Sequence, residues 1–146
     1  SIDLDASVIC LDDSKNIVDT VSFRKLRSSC GGINHSGDNV TGAGEGDDEV
    51  IKFDLTRLNT SITNLVFVVN SYRGQTFDKV NRCFARIVDS NNKEVMKFEL
   101  KEKHPNTGFI MCKVYKHNNE WKVAALGIQC NGKVAADIIN DVKTVI

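Results

Sequence analysis

The chain has 146 residues, of which 41% are aliphatic, aromatic or cysteine and 26% are charged, with nineteen acids balancing nineteen bases. Those values fit one globular domain with a real core, and no apolar run approaches the ~20 residues that span a bilayer. The opening SIDLDASVIC also lacks the basic-then-apolar order of a secretory signal.

The zero net charge joins two unlike parts. Residues 1–49 hold ten acids against four bases, or −6, and residues 50–146 hold nine acids against fifteen bases, or +6. From Ser28 to Ile51 there is no Lys or Arg. This asymmetry points to an end that attracts cations and a mildly basic remainder. The five cysteines (Cys10, Cys30, Cys83, Cys112 and Cys130) are odd in number and form no CxxC pair. All but Cys30 fall in stretches that read as strands, where a thiol serves as a small hydrophobe. A reducing, intracellular setting follows, rather than a disulfide framework.

Short alternating runs dominate the chain. Leu4–Leu11 reads as a strand, 12–16 (DDSKN) as its turn and Ile17–Phe23 as the hairpin partner. Val50–Leu55 follows an acidic segment, and NLVFVVN at 64–70 reads as a strand covered on both faces. Residues 83–90 and 94–100 flank the turn Asn91-Asn92, with Met96, Phe98 and Leu100 opposite Lys97 and Glu99. Phe109–His117 and Glu120–Gln129 flank Asn118-Asn119, which suits a two-residue hairpin because Asn tolerates positive φ.

Two segments have helical character. Thr76–Arg82 has room for about two turns with Thr76 as N-cap. Lys133–Lys143 spaces Val134, Ile138 and Val142 four apart, with Ala135 and Ile139 beside them. Seven or eight strands with hairpin turns and a single proline, Pro105, predict an all-β fold. The expected architecture is an antiparallel β-sandwich with one or two short helices, forming a single domain over 1–146.

Residues 37–49, GDNVTGAGEGDDE, carry five acids, four glycines and no base. Many such loops are merely solvated connections. A phosphate cradle is excluded by the five carboxylates and the absence of a following lysine. Calcium fits better: it takes six to eight oxygens from carboxylates, amides and backbone carbonyls. Asp38, Asn39, Asp47, Asp48 and Glu49 offer side-chain oxygens, while Gly42, Gly44 and Gly46 let the backbone aim its carbonyls inward. This is not an EF-hand. Twelve residues counted from Asp38 put Val40 third, Gly42 fifth and Ala43 where the glycine belongs.

Asp3 and Asp5 form a second acidic pair, on one face of the first strand and about 6.5–7 Å apart. Two carboxylates 5 Å apart repel by about 0.8 kcal/mol in water and more at lower dielectric. A cluster of six or more would open the loop unless a divalent ion sat among them.

The same residues resemble the TerD domain of tellurite-resistance and general stress proteins. The resemblance lies in Asp3-Leu4-Asp5-Ala6, in His35-Ser36-Gly37-Asp38-Asn39 with Thr41-Gly42, and in Gly44-Glu45-Gly46-Asp47-Asp48-Glu49. It continues through Arg73-Gly74-Gln75 with Phe77, Arg86-Ile87-Val88-Asp89, Tyr115-Lys116-His117-Asn118 and Glu120-Trp121-Lys122. It runs through nearly the whole chain in the family's order. The resemblance implies a calcium-binding, cytoplasmic, non-enzymatic β-sandwich active in stress resistance, with protein partners at a membrane's inner face. It also implies strands upstream of the Asp-Leu-Asp-Ala motif that this chain lacks. Some relatives are described as cyclic-AMP-binding proteins, so a cyclic-nucleotide module is the alternative.

The resulting expectation is Ca2+ held by Asp3, Asp5, Asp38, Asn39, Asp47, Asp48 and Glu49, with a backbone carbonyl from Gly44. No nucleic acid is expected, because the bases are scattered. Cys30 and His35 share a loop and are the one pair open to thiol hydrolase chemistry, although no third orienting residue is evident. Cys112 and His117 lie five apart on a strand and so face opposite ways. Zinc would want closely spaced Cys and His, which are absent. Trp121 reads as core or sandwich rim.

Overall fold

LDASVICL forms strand β1 (Leu4–Leu11), and its last four residues have no solvent exposure at all. A run that is apolar on both faces belongs at the centre of a sheet, with a layer on either side. The computed structural model, which describes residues 4–36, 50–72, 84–88, 94–99 and 106–146, places it there. β1 lies between β2 (Ile17–Val21) and the equally buried β5 (Asn64–Ser71). β8 (Gly108–His117) and β9 (Glu120–Cys130) complete an antiparallel sheet in the order β2-β1-β5-β8-β9. Two antiparallel pairs accompany it. They are β3 (Ile33–His35) with β4 (Ile51–Phe53), and β6 (Phe84–Val88) with β7 (Glu94–Glu99). The architecture is all-β, as the patterning predicts.

The two faces of the sheet bury different partners. Val8, Cys10, Leu65, Phe67, Met111 and Val114 pack with Ile33 of β3, and Ile51 and Phe53 of β4 join them. The Phe53 and Phe67 rings lie 5.3 Å apart. On the other face Ile9, Leu11, Val66, Val68 and Ile110 meet Ala135, Ile138 and Val142 of the C-terminal segment. Strand alternation makes this division, since consecutive residues point to opposite sides.

Turn chemistry follows the sequence closely. Asn118 and Asn119 adopt φ of 51° and 61°, the left-handed pair required by a two-residue hairpin between β8 and β9. Asp12 Oδ1 accepts the N–H groups of Ser14 and Asn16 and closes the β1–β2 turn. In β9 the register slips opposite Met111, and Gly127, at φ 66°, takes up the extra residue as a bulge.

Four elements differ from the sequence reading. β2 stops at Val21 rather than Phe23 because Ser22 and Lys25 exchange backbone hydrogen bonds in a tight turn. The strand expected over Val50–Leu55 shortens to Ile51–Phe53, since Asp54 Oδ1 accepts the Thr56 N–H and caps a 3-10 turn at Leu55–Arg57. β3 was not expected at all, three residues being too few to show alternation. The helix predicted over 133–143 is a 3-10 turn, Ala135–Ile138, followed by α1 (Ile139–Lys143). Asp137 Oδ2 folds back to accept the Lys133 and Val134 N–H groups, which tightens its first turn. The helix expected over Thr76–Arg82 and the Asn91-Asn92 turn lie outside the described residues.

Ile138 has no exposure and fills the space beneath the sheet, whereas Ile139 is half-buried. Urea denaturation is expected to show a loss of about 2–5 kcal/mol for Ile138→Ala, with a smaller loss for Ile139→Ala.

Candidate functional site

The acidic segment lies outside the described residues, but both of its flanks are within them. Ser36 N donates to Val50 O at 2.8 Å, and Val50 N donates to Ser36 Oγ at 2.9 Å. The two ends of the segment are therefore held together at one clamped point. His35 then fastens that clamp to the main sheet. Its Nε2 lies 3.0 Å from the carbonyl oxygen of Ala6, and its backbone N–H donates to Leu26 O at 2.7 Å. A carbonyl only accepts, so Nε2 carries the proton in this contact. Ala6 lies beyond the last β1–β2 pair, Val8 with Val21, at an edge that β2 has already left. The stem of the acidic segment thus sits beside the start of β1, within one residue of Asp5 along that strand.

Asp5 is 2% exposed, and alternation sends its side chain to the same face as Ser7, Ile9 and Leu11. There it lines a cleft of about 320 Å³ together with Ser7, Thr20, Lys25, Asn70 and Ile139. Lys25 Nζ is engaged by Asp19 Oδ1 at 2.7 Å and Ser29 Oγ at 2.9 Å. Asn70 stands directly opposite Asp5 in the β1–β5 register and is fully buried. Of the eight proposed ligands, Asp5 is described. Asp3, Asp38, Asn39, Gly44, Asp47, Asp48 and Glu49 lie outside the described residues. Among the described residues no three His, Cys, Asp or Glu side chains converge.

The other candidate chemistry finds little support in the geometry. His35 Nε2 is committed to a backbone carbonyl, and Cys30 Sγ contacts Ser28 Oγ at 3.4 Å. Burial works to raise the Cys30 thiol, but hydrogen bonding from Ser28 and from the Gly32 backbone outweighs it and leaves its pKa lowered. Cys112 is buried while His117 is exposed, so that pair is split as the spacing predicts. Trp121 packs partly buried against the core, with Lys116 Nζ 5.8 Å above its ring.

The family model of the TerD domain matches residues 1–141. This chain belongs to the TerD family. It is 42% identical over 146 residues to tellurium resistance protein TerZ of Serratia marcescens, covering 100% of this chain and 76% of that protein. It is also 42% identical to stress response protein SCP2 of Bacillus subtilis, over 96% of this chain and 74% of that one. A crystal structure of a homologue of telluride resistance protein (TerD) from Streptomyces coelicolor shares the fold, with a TM-score of 0.84. That match covers 94% of this chain and 84% of that chain at 21% identity. These TerD relatives carry resistance and stress names, and no catalytic activity is indicated among them. Among the described residues no helix is long and apolar enough to cross a membrane.

Sequence reasoning missed two parts of the site. His35 was weighed only as a partner for Cys30 or as part of the family motif, and its docking onto Ala6 depends on the unanticipated β3. Asn70 closes the apolar run NLVFVVN, and an amide at a doubly buried strand position was the available signal.

Burial pushes the Cys10 and Cys112 thiols up to about 12 and Cys130 to about 11. At pH 7.5 iodoacetamide is expected to modify Cys30 on the order of 100-fold faster than these three, as peptide mapping would show.

Proposed function

We propose that this TerD chain is a non-catalytic calcium-binding module of a cytoplasmic stress-response protein. Ca2+ would be held by side-chain oxygens of Asp3, Asp5, Asp38, Asn39, Asp47, Asp48 and Glu49 and by the Gly44 carbonyl. The observation that carries this reading is the double clamp at the stem of the acidic segment. Ser36 and Val50 hold its two ends together, and His35 ties those ends to β1 beside Asp5.

The donor set supports the same reading. It consists wholly of hard oxygens, which suits calcium and offers nothing to a thiolate-preferring metal. Asp5 brings a carboxylate oxygen to the start of β1, one residue from the Ala6 carbonyl that His35 holds. When bound, the ion supplies positive charge that lets neighbouring carboxylates approach. The chain's own contribution is the clamp, which holds the two ends of the acidic segment together beside β1. The names of the relatives support a role in resistance to tellurium compounds or general stress.

Calcium at 100 times its Kd is expected to stabilise the fold by about 2.7 kcal/mol. For a chain of this size that is a rise in Tm of roughly 10 °C. Asp47→Asn is expected to abolish the rise. A scan in which calcium leaves the wild-type Tm unchanged, or shifts the variant equally, contradicts the proposal.

A further inference from the structure

We infer that Asn70 is a further calcium ligand, joining Asp5 from the neighbouring strand through Oδ1; this rests on the calcium reading above. β1 and β5 pair Asp5 with Asn70 directly, so their Cβ atoms are about 4.5–5.5 Å apart on one face of the sheet. Both side chains line the same cleft. Asn70 is completely buried.

The orientation of the Asn70 amide is settled by its surroundings. Nδ2 donates to the carbonyl oxygen of Gly132 at 2.8 Å. Only the nitrogen can satisfy that contact, since two carbonyl oxygens would repel. Gly108 packs beneath: a Cβ there would lie 3.3 Å from Nδ2 and 3.0 Å from Cys130 Sγ. With Nδ2 held in this way, Oδ1 has no hydrogen-bond partner among the described residues. Buried amide oxygens are nearly always satisfied, so one left open beside a buried carboxylate marks a place for a positively charged ligand. An amide oxygen is an ordinary calcium donor.

Lys25 is bound to Asp19 and Ser29, and the exposed Arg24 guanidinium lies 5.5 Å from the Phe23 ring centre.

The test is calorimetric titration of the full chain with CaCl2, comparing wild type with Asn70→Ala, Asn70→Asp and Ser71→Ala. Ser71 neighbours Asn70 but faces the other side of the sheet. Asn70→Ala is expected to raise Kd about tenfold, Asn70→Asp to lower it, and Ser71→Ala to leave it unchanged. Asn70→Asp is also expected to lower the Tm of the calcium-free chain, because it sets two carboxylates side by side and removes the donor to the Gly132 carbonyl. A folded Asn70→Ala chain that binds calcium with the wild-type Kd overturns the inference. If Asn70→Ala does not fold, an Asn70→Asp chain that binds no more tightly than wild type overturns it. Wild type that binds no calcium defeats the underlying reading instead, and this inference with it.

Discussion

The antiparallel pairing of β1 with β5 is the constraint on which the rest of this molecule depends. Eight consecutive residue pairs, from Leu4 with Ser71 to Leu11 with Asn64, put both strands in the interior of the five-stranded sheet. Each face of these strands is sealed by a different layer, so a slip of one residue would exchange the two hydrophobic sets and strand both. The same register that protects the core also decides the site. It directs Asp5 and Asn70 into one cleft while Ala6, between them and the next inward pair, presents its carbonyl to His35.

To that fixed strand the two ends of the acidic segment are tied. A glycine-rich stretch gains little by ordering itself, because glycine loses more chain entropy than any other residue. Holding its two ends together removes part of that cost in advance, since the loop is already closed before any ligand arrives. The Ser36–Val50 clamp does this, and the short β3–β4 pair beyond it carries the clamp into the core through Ile33, Ile51 and Phe53. The apolar layer thus fixes where the two ends of the segment sit.

Much of the fold was legible because it is built from local signals. The alternation of 4–11, the doubly apolar 64–70 and the paired asparagines at 118–119 each state a strand or turn within a few residues, and each appears where expected. What could not be read were elements made by distant partners. β3 is three residues long and exists because β4, sixteen or more residues away, pairs with it. His35 as a tether and Asn70 as the neighbour of Asp5 are facts of register between strands remote in sequence. The acids themselves were conspicuous, yet nothing in a charge run says which strand it will meet.

The central claim is that Asp5 and the acidic segment grip one divalent ion between them. A crystal structure of the chain grown with calcium, with the ion located by its anomalous signal, tests this most directly. The account predicts an ion about 2.3–2.6 Å from an Asp5 oxygen and at the same range from several oxygens of residues 38–49. An ion held by the segment alone, with the Asp5 carboxylate turned away from it, would contradict the account.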